Sequence, residues 1–290
     1  MKRGTFNVIA WLAVGILALV FPQLGFKAYY MHVAVMSLIY MLLALGLNVL
    51  TGYAGQLSLA QAGFFAIGAY SSALLALKLG WNTWLGLVVG WLLAGAAGVL
   101  LGVPALRLKG PYLVIASLGF GEIIRHVLLN WVGLTRGPMG LTGIPGMSPI
   151  SIPGLGTVTF ETKTSYYYLL LPFVAVTLFL IHNLVNSRTG RALMAIREDQ
   201  VAAEVMGINL AFYKVLAFLF GAVLAGVAGS LYVHYIRFVS PDSFTVGESI
   251  HILMMVAVGG MGTELGPILG AVGLTYLSET MRVLAAYRLV

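Results

Sequence analysis

Residues 84–106 read WLGLVVGWLLAGAAGVLLGVPAL, a run of 23 positions without one ionisable side chain. About 20 apolar residues are what an α-helix needs to cross the hydrocarbon core of a bilayer. Within the run, Gly86, Gly90, Ala94, Gly98 and Gly102 recur every four positions and lay small residues along one stripe. A second helix can approach closely along such a stripe, so the expectation is helix packing carried through the membrane thickness.

The rest of the chain has the same character. Of its 290 residues 60% are hydrophobic and 9% charged, with a mean hydropathy of +0.98. An ordinary soluble domain has roughly 45–50% apolar and about 25% charged residues, so a water-soluble globule is excluded. Nine candidate spans follow, at about residues 6–26, 29–50, 57–77, 84–106, 112–132, 166–186, 214–236, 246–261 and 266–286. The expected fold is all-α and polytopic, one membrane domain over residues 1–290. The third and eighth spans are weak. One opens with Gln56, Ser58 and Gln61 and the other ends in Gly259-Gly260-Met261-Gly262, so either reads as broken or re-entrant. The first, behind Lys2 and Arg3, has no small-x-small cleavage site after its apolar run and is followed by another span, which argues for a retained helix over a cleaved leader.

The net charge of +7 is spread over the whole length rather than gathered in a patch, which argues against a nucleic-acid partner. Its use is orientation. With the amino terminus inside and nine crossings, the inside loops hold Lys2, Arg3, Arg107, Lys109, Arg188, Arg191, Arg197 and Lys214, and the outside holds Lys27, Lys78, Arg136, Lys163 and Arg237. Cytoplasmic loops carry the excess of Lys and Arg. Residues 187–214 are thus expected in the cytoplasm, and residues 133–165, rich in Gly, Pro, Ser and Thr, on the opposite side.

Three groups of residues invite a functional reading. The stretch SRTGRALMAIREDQVAAEVMGINLAFYK, residues 187–214, keeps Leu193, Ile196, Val201, Val205 and Ile208 at near-helical spacing in polar surroundings. It reads as an amphipathic helix or helix pair resting on the membrane surface or in a partner's groove, or else as a solvated loop. Glu122, with Arg125 and His126 three and four positions on, places ionisable groups inside the fifth span. They read as part of a permeation path or proton relay, or as an internally neutralised pair; Glu248 and His251 repeat the spacing. Gln56, Ser58 and Gln61 offer either interhelical hydrogen bonds or neutral contacts to a solute.

The absences narrow the class. Without cysteine there is no thiolate metal site or thiol nucleophile, and without a G-x-x-x-x-G-K-[ST] phosphate loop there is no Walker-type ATP site. Ser58 has no flanking nucleophile motif, and the two aspartates, Asp199 and Asp242, fall between spans, so no intramembrane enzyme is expected. No metal or cofactor is expected on this chain.

Four strings in order, GLNVLTGYAGQLSLAQAGFFAIGAY at 46–70, RLKGPYLVIASLGFGEIIRHVLLN at 107–130, TRGPMGLTGIPG at 135–146 and the run 187–214, resemble the permease subunits of bacterial branched-chain amino acid ABC importers, of the LivM type. The resemblance implies a membrane half-channel paired with a homologous second permease, two ATP-binding subunits that consume the ATP, an extracytoplasmic solute-binding protein and a small-molecule solute. It places the chain in the bacterial cytoplasmic membrane, with a branched-chain amino acid, or else urea or a short amide, as cargo. It makes 187–214 the element that couples to the ATPase, through Arg188, Gly190, Arg191, Arg197, Ala202, Ala203, Glu204 and Gly207. Ala202, Ala203 and Gly207 match the Glu-Ala-Ala-x-x-x-Gly signature of ABC permeases, while Val201 replaces its Glu and no proline closes it. Gln56, Ser58, Gln61, Glu122 and Arg125 would line the path. Relatives of this kind continue with one more span, whereas this sequence stops at Val290 just as an apolar run after Arg288 begins, which points to an incomplete carboxy terminus. The competing reading is a stand-alone secondary transporter with Glu122 as its proton site.

Overall fold

The computed structural model describes residues 19, 21–24, 28–108, 110–152 and 156–288. Ten helices carry the architecture: α1 (Ala28–Asn48), continued by a π-helical turn (Val49–Tyr53), α2 (Gln61–Leu79), α3 (Thr83–Ala105), α4 (Pro111–Asn130), α5 (Lys163–Asn186), α6 (Arg188–Glu198), α7 (Gln200–Val205), α8 (Leu210–Ile236), α9 (Val246–Gly259) and α10 (Gly266–Arg288). Helix starts follow from local chemistry, because the first N–H groups of a helix need acceptors. Asn82 accepts from Trp84 N at α3, Thr162 from Ser165 N at α5, Ser187 from Gly190 N at α6 and Asn209 from Phe212 N at α8.

Six helices among the described residues, α1 with its π-turn, α2, α3, α4, α5 and α8, are long and apolar enough to cross a membrane. The expectation of nine is not reached on this criterion. The first candidate lies outside the described residues except for 19 and 21–24. The eighth is the 14-residue α9, about 21 Å long at 1.5 Å per residue and short of a full crossing. The ninth, α10, is a 23-residue helix that is not among the six. The third candidate starts later than its hydropathy suggests: residues 54–60 are not helical, and α2 begins at Gln61.

Two ends of the bundle can be told apart by their loops. One carries α6 and α7. The other carries residues 131–162, with two short antiparallel pairs, β1 (Leu141–Thr142) on β4 (Phe238–Val239) and β2 (Ile150–Ile152) on β3 (Gly156–Val158). The loop is shorter than its expected range, because α5 begins at Lys163, and the polar stretch 187–214 ends earlier than expected, because Leu210 onward belongs to α8.

At the centre, α8 packs along both α2 and α3. The α3 stripe is the contact surface: a methyl group built on Gly98 would lie 2.5 Å from Ala222 Cβ and 2.8 Å from Phe218 O, and one on Gly102 would lie 3.3 Å from Val215 Cα. Gly90 faces Ser230 and Gly68, Gly86 faces Ser72, and Ala94 is fully buried. From the other side Gly229 presses on the Phe65 carbonyl. In a membrane, where lipid is as apolar as leucine, this closeness of backbones is what holds helices together.

Candidate functional site

The break before α2 lies deep in the bundle. Gln61 Nε2 donates to Leu43 O at 3.1 Å, ten residues before the foot of α1 at Tyr53, or about 15 Å along the helix. Residues 54–60 therefore run as irregular chain from the α6 end back to mid-depth. Serine hydroxyls from three elements serve the N–H groups freed there: Ser117 of α4 accepts from Leu59 N at 2.9 Å, Ser58 from Ala60 N at 3.3 Å and Ser249 of α9 from Ala62 N at 3.0 Å. Irregular backbone at membrane depth is tolerated only where protein buries it or where it lines a watery cavity. Gln56, Ser58 and Gln61 are all buried, so in this conformation they bond protein; Leu57, between them, is 45% exposed.

Arg197 of α6 sits at the start of this irregular segment. Its guanidinium donates to Gly52 O, and its stem packs on Gly55, where a methyl group would lie 3.0 Å from Arg197 Cγ. The turn between α9 and α10 closes on the same point. Gly262, at φ +75, has its N–H bonded to Asn48 Oδ1 at 2.8 Å, while Asn48 Nδ2 donates to Thr263 O at 2.9 Å. A side chain on Gly262 would strike Arg197 Nη1 at 2.5 Å. One arginine thus touches the foot of α1, the irregular segment and the α9–α10 turn. Sequence reasoning singled out Arg197 but missed Asn48, Gly52 and the serines Ser117 and Ser249. The available signal was an amide buried in an apolar run.

The stretch 187–209 folds as a helix pair, not as one amphipathic helix, and its apolar residues divide between two surfaces. Leu193 and Ile196 of α6 are buried against the bundle, as are Gly190, pressed on the Val185 carbonyl, and Ala203. Asp199 breaks the pair and caps α7 through Val201 N at 2.8 Å and Ala202 N at 3.1 Å. Val201, Val205 and Met206 of the α7 region point away from the protein, the last two 81% exposed, beside exposed Ala202, Glu204 and Gly207. Arg188 and Arg191 lie on the exposed side of α6. A cavity of about 610 Å³ opens beside α7, lined by Leu106, Gln200, Glu204 and Lys214 among others, with Lys214 Nζ bonded to Gln200 Oε1 at 2.9 Å.

Glu122 and Arg125 pair on α4 at 3.4 Å. Arg125 also reaches Asp242, in the turn before α9, at 3.1 Å, and His126 stands 3.8 Å from Glu122. The residues at 122 and 125 are therefore not lone, and the α4 backbone beside them packs on the irregular segment, where a methyl group on Gly121 would lie 3.6 Å from Leu59 O. One further pair escaped sequence reasoning. Ser72 Oγ is 2.8 Å from His234 Nε2, whose Nδ1 is 2.8 Å from Pro145 O. Both side chains are buried, and they tie α2 and α8 to the loop end.

These features define a class: a multi-pass helical membrane protein with a broken span at its core and a helix pair presented at one end. Residues 29–289 match the family model described as branched-chain amino acid transport system / permease component, and the chain belongs to that family. It is 40% identical over 267 residues to the high-affinity branched-chain amino acid transport system permease protein LivM of Escherichia coli K12, covering 86% of this chain and 63% of the relative. It is 25% identical over 261 residues to the permease protein LivH of the same organism, covering 80% and 78%, and 26% identical over 194 residues to the autoinducer 2 import system permease protein LsrC of Salmonella paratyphi B, covering 64% and 51%. The chain thus spans less than two thirds of the length of its LivM relatives. No solved structure matches it.

Proposed function

We propose that this chain is a permease subunit of an ABC importer, forming half of the translocation path for branched-chain or related amino acids in a bacterial cytoplasmic membrane. Two separate ATP-binding subunits supply the energy, a homologous second permease completes the path, and an extracytoplasmic binding protein delivers the solute. Residues 187–209 face the cytoplasm and residues 131–162 the other side. The observation that carries the reading is the α6–α7 pair. α7 offers Val201, Val205 and Met206 to a partner's groove, and α6 holds Arg197 on Gly52 and Gly55, where the irregular segment begins.

The mechanism follows from that link. A push on α7 by a closing ATPase moves α6 as a lever, because Leu193 and Ile196 root it in the bundle. Arg197 then shifts the foot of α1 together with the α9–α10 turn. The segment 54–60, held at its start by backbone bonds from Ala54 N and Gln56 N to Val49 O and Leu50 O and beyond that by serine hydroxyls rather than by a helical ladder, changes conformation at small cost and alternates access to the path. Gln56, Ser58 and Gln61 meet the solute only when the segment has moved. α9 and α10 together form the eighth, broken crossing and the return span that follows it.

Cargo is a separable part of the reading: proteins similar to this chain in sequence are named for branched-chain amino acids and for autoinducer 2. A proton-coupled mechanism through Glu122 finds less support, because that carboxylate is already paired with Arg125, a guanidinium it shares with Asp242. Extraction of the complex in mild detergent tests the assembly. The reading expects a second permease and two nucleotide-binding subunits to co-purify, and a chain that purifies only by itself from its native membrane contradicts it.

A further inference from the structure

Glu248, in the first turn of α9, belongs neither to the Arg197 link nor to the α4 ion pairs. The next residue, Ser249, accepts from Ala62 N at 3.0 Å, which sets Glu248 at the depth where α2 begins. Among the described residues its buried Oε1 has no hydrogen-bond partner and the carboxylate forms no ion pair. An ionisable side chain inside a membrane is costly to keep unpaired, which makes it a candidate functional site.

The surroundings specify what it can bind. Tyr40 of α1 turns its hydroxyl to the carboxylate, Tyr232 of α8 stands beside it, and His251, one turn along α9, faces it and stacks on the Tyr40 ring at 5.6 Å. All four side chains are half-buried, so the cluster has an open side. Phe65 lies 5.2 Å from the Tyr232 ring and 5.1 Å from Phe244, an apolar continuation of the same wall. No three His, Cys, Asp or Glu side chains gather to hold a metal ion among the described residues. Inorganic monovalent cations are held by rings of oxygens. Tyrosine faces beside one carboxylate suit an organic ammonium instead, whose N–H groups need acceptors and whose charge is attracted to π faces.

We infer that Glu248, with Tyr40, Tyr232 and His251, binds the ammonium group of the amino acid in transit, with the aliphatic part of the solute toward Phe65 and Phe244. This rests on the importer reading above. Because Ser249 ties the same turn to the start of α2, occupancy of the site and movement of segment 54–60 are linked. The test takes the melting temperature of the co-purified complex with leucine, with isopentylamine, which keeps the ammonium and lacks the carboxylate, and with isocaproate, which keeps the carboxylate and lacks the ammonium. Leucine and isopentylamine raise it and isocaproate does not, since a ligand bound to the folded state stabilises it. Glu248→Gln removes the charge and keeps the shape. Without ligand it melts at the parent's temperature or higher, the rise with both ammonium compounds disappears, and ATP-driven leucine uptake into proteoliposomes falls roughly tenfold or more, with partial recovery in Glu248→Asp. Stabilisation by isocaproate, no rise with any compound, an unchanged rise or parental uptake in Glu248→Gln, or a Gln variant that melts well below the parent each overturns the inference. The importer reading stands in all of these cases while the parent complex imports leucine with ATP; a parent complex that does not do so takes that reading down first.

Discussion

Arg197 and Gly52 lie 145 positions apart in sequence and are joined by one charge-assisted hydrogen bond from guanidinium to backbone carbonyl. The bond ties a helix outside the transmembrane bundle to the foot of its most buried span. Removing it tests whether the tie transmits force or only adds stability. Arg197→Ala is expected to cost about 1–3 kcal/mol in thermal unfolding. ATP-driven uptake should fall roughly tenfold or more, the scale of a coupling free energy of about 1–3 kcal/mol, while the ATP-binding subunits still co-purify. Uptake that tracks stability alone refutes the lever.

Asn48 satisfies two backbone groups of the α9–α10 turn with one buried amide. Asn48→Leu leaves the half-buried Gly262 and exposed Thr263 without these partners, at about 0.5–1.5 kcal/mol for each hydrogen bond lost. The expected result is a melting temperature in detergent well below that of the parent protein. An unchanged melting temperature would mean that the turn is not closed on α1.

Glycines of this chain divide by their surroundings. Gly98→Ala drives a methyl group into Ala222 and the Phe218 carbonyl, an overpacking expected to cost about 1–3 kcal/mol. Gly273→Ala, in mid-helix with no atom near its added methyl group, should be neutral or stabilising by up to about 1 kcal/mol. Parallel thermal melts of the two variants check the contrast.

Val205→Asp changes an 81% exposed side chain that holds no part of the core. Its effect on folding should stay within about 0.5 kcal/mol. Binding of the ATP-binding subunits should be lost, read as their absence from the affinity-purified complex. Full retention of those subunits would move the docking surface away from α7.

The membrane fold was legible because period and length speak directly: residues 84–106 have no charge and a glycine at nearly every fourth place, and the helix found there packs on that stripe. The helix pair at 187–209 was legible from its polarity, yet the division of its apolar residues was not, since spacing cannot show that Asp199 caps a new helix and turns Val201 and Val205 away from Leu193. The start of α2 was misplaced for a similar reason. Polar Gln56, Ser58 and Gln61 mark this span as weak, while the point at which its helix begins is fixed by serines 117 and 249, far off in sequence. The Asn48, Gly52 and Gly262 cluster depends wholly on tertiary approach.

The central claim is that this chain moves solute only under the push of another subunit's ATP hydrolysis. Leucine uptake into proteoliposomes holding the co-purified complex, with and without ATP, tests it most directly when run beside proteoliposomes holding this chain alone. The account predicts concentrative uptake in the complex with ATP and none in either other preparation. Accumulation of leucine against its gradient by the isolated chain would contradict it.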